Sequence, residues 1–229
     1  MLCTEEIVRA NIRNRDGQRV YFLGEKDTLT PGARDYLTRE RIEIRPASQA
    51  AIEEYVTTSG AVLKEKPEHM THLKGNILVS KTHPRIGFRG AIDTLEAELL
   101  LCQAEINPLY SVEIGEILEL ARTLIRCEVM DEPVLCNRLC GLTSQELRSR
   151  SHRPQVYYNQ PHFMPNITDG QVVLRLNRCR CAVRAAELAA AQAFTDSEGV
   201  CQRPDILHAL NRMSSMVYLL MIEAKSVQR

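Results

Sequence analysis

Three rows of polar side chains interrupt helix faces that could otherwise be apolar, and they are the part of this sequence equipped for chemistry. In the stretch Val172 to Leu188, VVLRLNRCRCAVRAAEL, residues Asn177, Arg180, Arg184 and Glu187 recur at i, i+3, i+7 and i+10. On a helix they share one face. Arg180 and Arg184 then stand one turn apart, where like charges cost about 0.2–0.5 kcal/mol. Such a pair is tolerated on a solvated face, or used where an anion lies between the two guanidinium groups. A second row, His208, Asn211 and Ser215, is flanked by Ser214 and Tyr218. A third, Arg85, Arg89, Asp93 and Glu96, places Asp93 to pair with an arginine of the first row, across a bundle or across a subunit boundary. Burying an unpaired arginine costs several kcal/mol, so rows of this kind demand partners or a bound anion.

The elements that must hold these rows follow from periodicity. Val172, Leu176, Cys179, Val183, Ala186 and Ala190 form an apolar stripe, which predicts a helix from about Gln171 to Phe194. Four more helices are expected: about Pro84 to Ile106, about Ser111 to Met130, about Glu132 to Ser151, and about Pro204 to Ala224. Pro154, Pro161, Pro165 and Gly170 forbid a continuous helix across 152–170. Five helices on short connections, with no internal repeat, predict a mainly α protein whose residues 77–229 form a five-helix antiparallel bundle.

Ahead of the bundle, residues 1–46 read as a small α/β module. Arg19 to Leu23 is a strand after the turn Asn14–Gly17, Thr30 caps a helix from Pro31 to about Arg39, and a short strand at Ile42–Ile44 ends at Pro46. Residues 47–76 read as a connector, helical over Ala50 to Val56 and irregular through Lys64–Pro67. Its end, Met70 to Asn76, carries polar donors around Gly75; it reads as a surface loop, and its backbone is also able to approach a phosphate. No Walker P-loop or dinucleotide-type glycine fingerprint occurs anywhere, which argues against the standard nucleotide folds.

Composition narrows the classes further. The 229 residues contain 29 basic and 29 acidic side chains, and zero net charge argues against a general binder of nucleic acid or anionic membranes. No apolar run reaches the roughly 18 residues of a membrane span. The start, MLCTEEIVRANIRNRDG, has no apolar segment of a secretory signal, so a cytoplasmic protein is expected. The 8 cysteines include no C-x-x-C pair. They are read as reduced, mostly buried small hydrophobes within helical sequence, with the usual zinc-ligand spacings missing.

Taken together, the motifs resemble a known family. Lys81-Thr82-His83-Pro84-Arg85 continuing to Asp93-Thr94-Leu95 is similar to the K-x-x-P-R…G…D-x-L stretch of ATP:cob(I)alamin (corrinoid) adenosyltransferases of the PduO/EutT group. Arg180 to Glu187 resembles that group's R-x-x-x-R-x-x-E helix, and Leu210 to Ser215 its L-N-R-L-S helix. Leu29 to Leu37, Ile42 to Ile44, Asp131-Glu132-Pro133 and Pro204 to Leu207 resemble the ethanolamine-utilisation branch. The sequence also departs from the pattern. Thr168-Asp169-Gly170 replaces a twin glycine, Ala185 stands where many relatives have a further arginine, and Ser215 stands where they have aspartate. Thr71 to Asn76 is only the positional counterpart of the nucleotide loop.

The resemblance implies an enzyme that transfers the 5′-deoxyadenosyl group of ATP to Co(I) of a reduced cobalamin, with Mg²⁺ as the ion accompanying ATP. The nucleophile belongs to the corrinoid, so no catalytic serine, cysteine or histidine is required. Arg180 and Arg184 would stabilise the leaving triphosphate, because a guanidinium fork matches phosphate oxygens in two-point contact. Asp93 would pair with Arg184. Asn211 would hold the nucleotide or its Mg²⁺, and Glu187 would anchor an arginine or a ribose hydroxyl. Asn177, Lys81 and Thr71 complete the implied nucleotide contacts, and Phe163 is the apolar candidate for displacing the corrinoid's lower axial ligand. With fewer arginines than the better-known branch, the site should hold ATP through fewer cationic contacts. The resemblance further implies a homo-oligomer, dimer or trimer, a flavoprotein reductase and an adenosylcobalamin-dependent lyase as partners, and association with a bacterial microcompartment.

Two other readings fit part of the same pattern: a non-catalytic chaperone or sensor that binds corrinoid or ATP on the same bundle, and a microcompartment interaction protein, which leaves the arginine rows without a purpose. Some members of the ethanolamine branch carry a His- and Cys-rich metal insertion, but this chain has no cysteine between Cys3 and Cys102. Metal analysis of the purified protein should therefore find no stoichiometric zinc or iron; one tightly held equivalent per chain would overturn this reading of the cysteines.

Overall fold

The computed structural model describes residues 1–15, 17–49, 54–106 and 108–227, and the chain divides into two compact units. The first comprises residues 1–86 with 129–131, the second residues 87–128 with 132–229.

In the first unit, β1 (Leu2–Cys3) pairs in parallel with β4 (Thr28–Leu29), and β2 (Arg13–Arg15), β3 (Gln18–Leu23) and β5 (Glu43–Pro46) form a three-stranded sheet in the order β2-β3-β5. The β3–β5 pair is parallel, and its crossover contains α2 (Pro31–Arg39). As expected, Thr30 caps α2, accepting from the Ala33 N–H at 3.3 Å, with Pro31 in the first turn. A further helix, α1 (Glu5–Ala10), is capped by Thr4 and has Glu5 and Glu6 in its first turn, a readable start signal that the sequence analysis passed over. Cys3, Val8, Ile12, Tyr21, Ala33 and Leu37 close a small core between these elements.

The connector is a sheet rather than a helix and a loop. Strands β6 (Tyr55–Thr57), β7 (Val62–Leu63), β8 (Met70–Lys74) and β9 (Ile77–Ser80) are ordered β7-β6-β9-β8. Of the helix expected over Ala50 to Val56, residues 50–53 lie outside the described residues, and Tyr55 and Val56 are in a strand. The β-branched and aromatic run Tyr55-Val56-Thr57 favours that outcome. The loop expected over Met70 to Asn76 is instead a hairpin that turns at Gly75, which has φ +58°. A Cβ there would lie 2.1 Å from the Ile12 carbonyl oxygen, so both the turn and the close approach require glycine.

The second unit is helical: α3 (Pro84–Ile106), α4 (Ser111–Met130), α5 (Ser144–His152), α6 (Pro154–Tyr158), α7 (Gly170–Phe194) and α8 (Pro204–Val227), the ends of α3 and α4 running into the first unit. Phe88, Ile92, Leu95, Leu99, Cys102 and Ile106 give α3 a continuous inward stripe. The stripe of α7 is Val173, Leu176, Cys179, Val183, Ala186 and Ala190; it starts at Val173, not at Val172, which is half-buried. Helix α8 is buried on nearly every side, the signature of a central helix.

The third bundle helix is shorter than expected. Residues from Glu132 to Thr143 are not helical; they hold the hairpin β10 (Arg138–Leu139) and β11 (Leu142–Thr143). Cys140 and Gly141 have φ +50° and +75°, the two positive values that a two-residue hairpin turn requires. The Cys140 N–H donates to Glu116 Oε2 of α4 at 2.7 Å, which fixes the turn. Helix then restarts at a capping box formed by Thr143 and Glu146. Cys136 and Cys140 are accordingly not helical, whereas Cys179 and Cys181 are. No helix among the described residues is long and apolar enough to cross a membrane.

One buried ion pair ties α3 to α4: Arg89 Nε donates to Glu128 Oε2 at 2.8 Å, and the Glu128 side chain has 0% exposure. Removing Arg89 takes a charge-assisted contact away from a carboxylate that has no access to water. Arg89→Ala should therefore lower the stability to urea unfolding by about 1.5–3 kcal/mol, while Arg89→Met with Glu128→Leu should recover most of that loss. Equal losses in the single and double variants would show that the charge pair is not the reason.

Candidate active site

Helices α7 and α8 pack along each other, and together with the chain between α6 and α7 they wall a cleft of about 700 Å³ inside the second unit. Helix α7 contributes Asn177, Arg180, Cys181 and Arg184, one face at helical spacing; α8 contributes Asn211, Ser214, Ser215 and Tyr218. The intervening segment adds His162, Phe163, Met164 and Pro165.

The arginines of α7 divide by face. Arg178 reaches Glu98 of α3 through Nε at 2.8 Å and Nη2 at 2.6 Å, a two-point pair that holds the Glu98 carboxyl below its usual range. Arg175 pairs with Glu105 of the same helix. Arg180 and Arg184, on the cleft side, have no carboxylate partner among the described residues. Arg180 is half-buried with its guanidinium carbon 5.3 Å from the centroid of the Tyr218 ring, and Arg184 is exposed. Two cations one turn apart, uncompensated on a concave wall, raise the local potential toward an anion.

The opposite wall is held by a residue to which the sequence analysis gave no role. Arg212 is only 5% exposed; its Nη1 donates to the Ser144 carbonyl at 3.0 Å and its Nη2 to Asn211 Oδ1, while Nε is buried without a partner. Burial holds its pKa below the usual arginine value. Since arginine only donates, it fixes the neighbouring amide with oxygen toward Arg212 and nitrogen outward. Asn211 Nδ2 then donates to Glu187 Oε1 at 3.1 Å, joining α8 to α7. The available signal was a lone arginine on the apolar side of its helix, between Leu210 and Met213 and one position off the polar row of Asn211 and Ser215.

Above this wall lies an aromatic ladder. The Tyr218 hydroxyl is 3.0 Å from His162 Nδ1, and His162 Nε2 is 3.3 Å from the His152 carbonyl oxygen. A neutral ring donating from Nε2 leaves Nδ1 to accept from the tyrosine. Phe163 stacks on Tyr218 with centroids 6.1 Å apart, and Lys225 Nζ sits 4.1 Å from the Phe163 centroid. Lys225 also pairs with Asp169 at 2.8 Å; this contact and the Asn166 N–H keep the Asp169 carboxyl below its usual range. The segment carrying Phe163 is thus anchored at both ends, and its polar anchors His162, Asp169 and Lys225 gave no helical periodicity to read.

Of the candidates read from the sequence, the structure brings Asn177, Arg180, Arg184, Asn211 and Phe163 to this cleft, with Glu187 bonded to Asn211 at its edge. Asp93 is exposed on α3 and, among the described residues, makes no ion pair with Arg184 within the chain. Thr71 lies on β8 opposite Val79, and Lys81 follows β9 with its N–H donating to the His69 carbonyl at 2.9 Å; both belong to the first unit. His208 of the second row is not in the cleft lining; its Nε2 lies 2.7 Å from Ser144 Oγ. No group of three or more metal-ligating His, Cys, Asp or Glu side chains occurs among the described residues.

Comparison with known proteins gives a consistent result. The family model for cobalamin adenosyltransferase matches residues 61–224. The chain is 31% identical to the corrinoid adenosyltransferase EutT of Salmonella typhimurium, over 96% of this chain and 90% of that protein. It is 29% identical to EutT of Escherichia coli with the same coverage. Among solved structures, a variant of a PduO-type ATP:corrinoid adenosyltransferase from Lactobacillus reuteri, complexed with cobalamin and ATP, has a TM-score of 0.51 and 20% identity, covering 70% of this chain and 91% of the other. That likeness concerns the fold, while the family model and the EutT relatives bear on ancestry: this chain belongs to the cobalamin adenosyltransferase family.

Proposed function

We propose that the cleft between α7 and α8 transfers the 5′-deoxyadenosyl group of ATP to the cobalt of a reduced corrinoid, forming adenosylcobalamin. The Co(I) lone pair attacks C5′, the cobalt–carbon bond forms, the C5′–O bond breaks, and the electron pair leaves with triphosphate. Since the nucleophile is part of the substrate, the protein has two tasks: to align the reacting atoms, and to stabilise charge on the departing triphosphate. The observation that carries the reading is the division of the α7 arginines. Those on one face are neutralised by α3 acids, and the two on the cleft wall are left for an anion.

Arg184 and Arg180 take the triphosphate in two-point contacts, with Tyr218 holding Arg180 by its ring face. Asn177 and Asn211 are the neutral polar contacts for the nucleotide. The Asn211 amide oxygen already accepts from Arg212, so Glu187, bonded to Asn211 at the cleft edge, would be the carboxylate available to an Mg²⁺ accompanying the triphosphate, which would supply further charge neutralisation there. Phe163 offers an apolar face for the corrinoid's lower axial side. Asp93 reaches Arg184 of a second subunit in a homo-oligomer, dimer or trimer, and Thr71 and Lys81 supply further nucleotide contacts.

Resemblance to the ethanolamine-utilisation branch supports a finer reading, in which the product serves an adenosylcobalamin-dependent lyase of ethanolamine breakdown, a flavoprotein supplies the electron, and the enzyme works at a microcompartment. The similarity to two EutT proteins across 96% of this chain favours this assignment. Catalysis is separated from mere binding by mixing the protein with ATP, Mg²⁺ and chemically reduced cobalamin and following the absorbance of adenosylcobalamin. Multiple turnovers are expected; a stoichiometric spectral shift without turnover would indicate a chaperone. Arg184→Ala should raise the KM for ATP and cut kcat by about 10²-fold with unchanged helical content. An unaltered rate would remove Arg184 from the site.

A further inference from the structure

Arg180 is held on the cleft wall by a single file of contacts. Among the described residues, the only group its side chain engages is the Tyr218 ring, whose centroid lies 5.3 Å from the guanidinium carbon. Tyr218 is half-buried, and the only hydrogen bond of its hydroxyl among those residues is with His162 Nδ1 at 3.0 Å. His162 Nε2 in turn lies 3.3 Å from the carbonyl oxygen of His152, the last residue of α5. All four residues line the cleft. The file therefore starts on a fixed backbone atom and ends on a cation, and no link in it has a parallel route.

The chemistry of each link sets the direction of the next. A carbonyl oxygen only accepts, so Nε2 carries the proton and Nδ1 of the neutral ring accepts from the tyrosine. A phenol that donates its proton gains electron density in the ring. That deepens the negative ring face on which a guanidinium rests. His162 also stacks on Tyr218 with centroids 5.9 Å apart and planes within 9°, which limits the tilt of the phenol. The neighbouring Phe163 does not depend on His162 alone, because it stacks on Tyr218 itself and is covered by Lys225, which Asp169 holds. We propose that His162 is a positioning residue for the leaving-group side of the reaction: through Tyr218 it fixes the Arg180 guanidinium against the departing triphosphate. This rests on the reading of the cleft as the site of adenosyl transfer.

The test measures steady-state adenosyl transfer by the full chain with ATP and reduced cobalamin varied in turn, and titrates inorganic triphosphate calorimetrically into the same proteins. His162→Ala and Tyr218→Phe should each lower kcat/KM for ATP, and the affinity for triphosphate, by about threefold to tenfold. Tyr218→Leu, which removes the ring as well, should lose more. His162→Asn should recover part of the loss, since its side-chain oxygen can stand in for Nδ1 as acceptor. In an Arg180→Ala background His162→Ala should have no further effect on ATP, because the two act through one file of contacts. The KM for corrinoid should stay within about twofold throughout. The proposal is overturned if His162→Ala treats ATP and triphosphate as the unaltered protein does, or if its effect simply adds to that of Arg180→Ala. It is also overturned if the loss falls on the corrinoid KM instead, which would make His162 an anchor of the Phe163 segment and nothing more. An unaltered protein that binds triphosphate without turnover would remove the functional reading, and the titrations would still decide the role of His162; one that does neither would remove both.

Discussion

A guanidinium buried in the middle of a central helix fixes the polar geometry of the bundle cleft. At 5% exposure Arg212 depends on acceptors inside the protein, and its two terminal nitrogens find them while Nε does not. One is the Ser144 carbonyl at the start of α5, and the other is the side-chain oxygen of the adjacent Asn211. Through that second bond, a requirement of the interior becomes an orientation at the surface. Asn211 presents its nitrogen to Glu187, and the two helices that form the cleft are held in register by a polar contact, not by packing alone. The hairpin at Cys140-Gly141 serves the same end, because it delivers the chain into the α5 start that offers Ser144 to Arg212.

The second organising constraint is electrostatic. Helix α7 carries arginines on two faces, and helical geometry sends Arg175 and Arg178 toward the acids of α3 while Arg180 and Arg184 turn to the cleft. Neutralising one face removes it from competition for an anion and confines the positive potential to the concave side. The protein thereby keeps a net charge of zero and still offers a cationic wall to an anion.

How much of this was legible depended on the kind of signal. Long helices announced themselves by periodicity: α3 and α4 have the expected bounds, and the α7 row of Asn177, Arg180 and Arg184 lines the cleft as one face. Short elements governed by turn chemistry were misread. Residues from Glu132 to Thr143 contain enough apolar side chains to resemble a helix, but the positive φ at Cys140 and Gly141 decides for a hairpin. The connector failed for a related reason, since its strands are only two to five residues long and gain their stability from pairing with segments distant in sequence. Within the site, residues that touch across elements were the least visible. Nothing in the chain order links His162 to Tyr218 or Lys225 to Asp169, and the buried role of Arg212 emerges only once its neighbours enclose it.

The burial of α8 on nearly all sides restricts how a protein of this design can change its substrate preference. Asn211, Ser214, Ser215 and Tyr218 face the cleft, but their immediate neighbours Leu210, Met213, Val217 and Leu219 are buried, so a change of bulk on this wall risks disturbing the interior. The segment holding Phe163, Met164 and Pro165 is under no such obligation. Met164 is 87% exposed, and the ends of the segment are secured separately by the His162–Tyr218 bond and the Asp169–Lys225 pair. Variation between those two anchors can reshape the mouth of the cleft without repacking the bundle. The architecture thus separates a wall constrained by its own burial from a rim under fewer packing constraints, and the rim is where the cleft has most room to change shape.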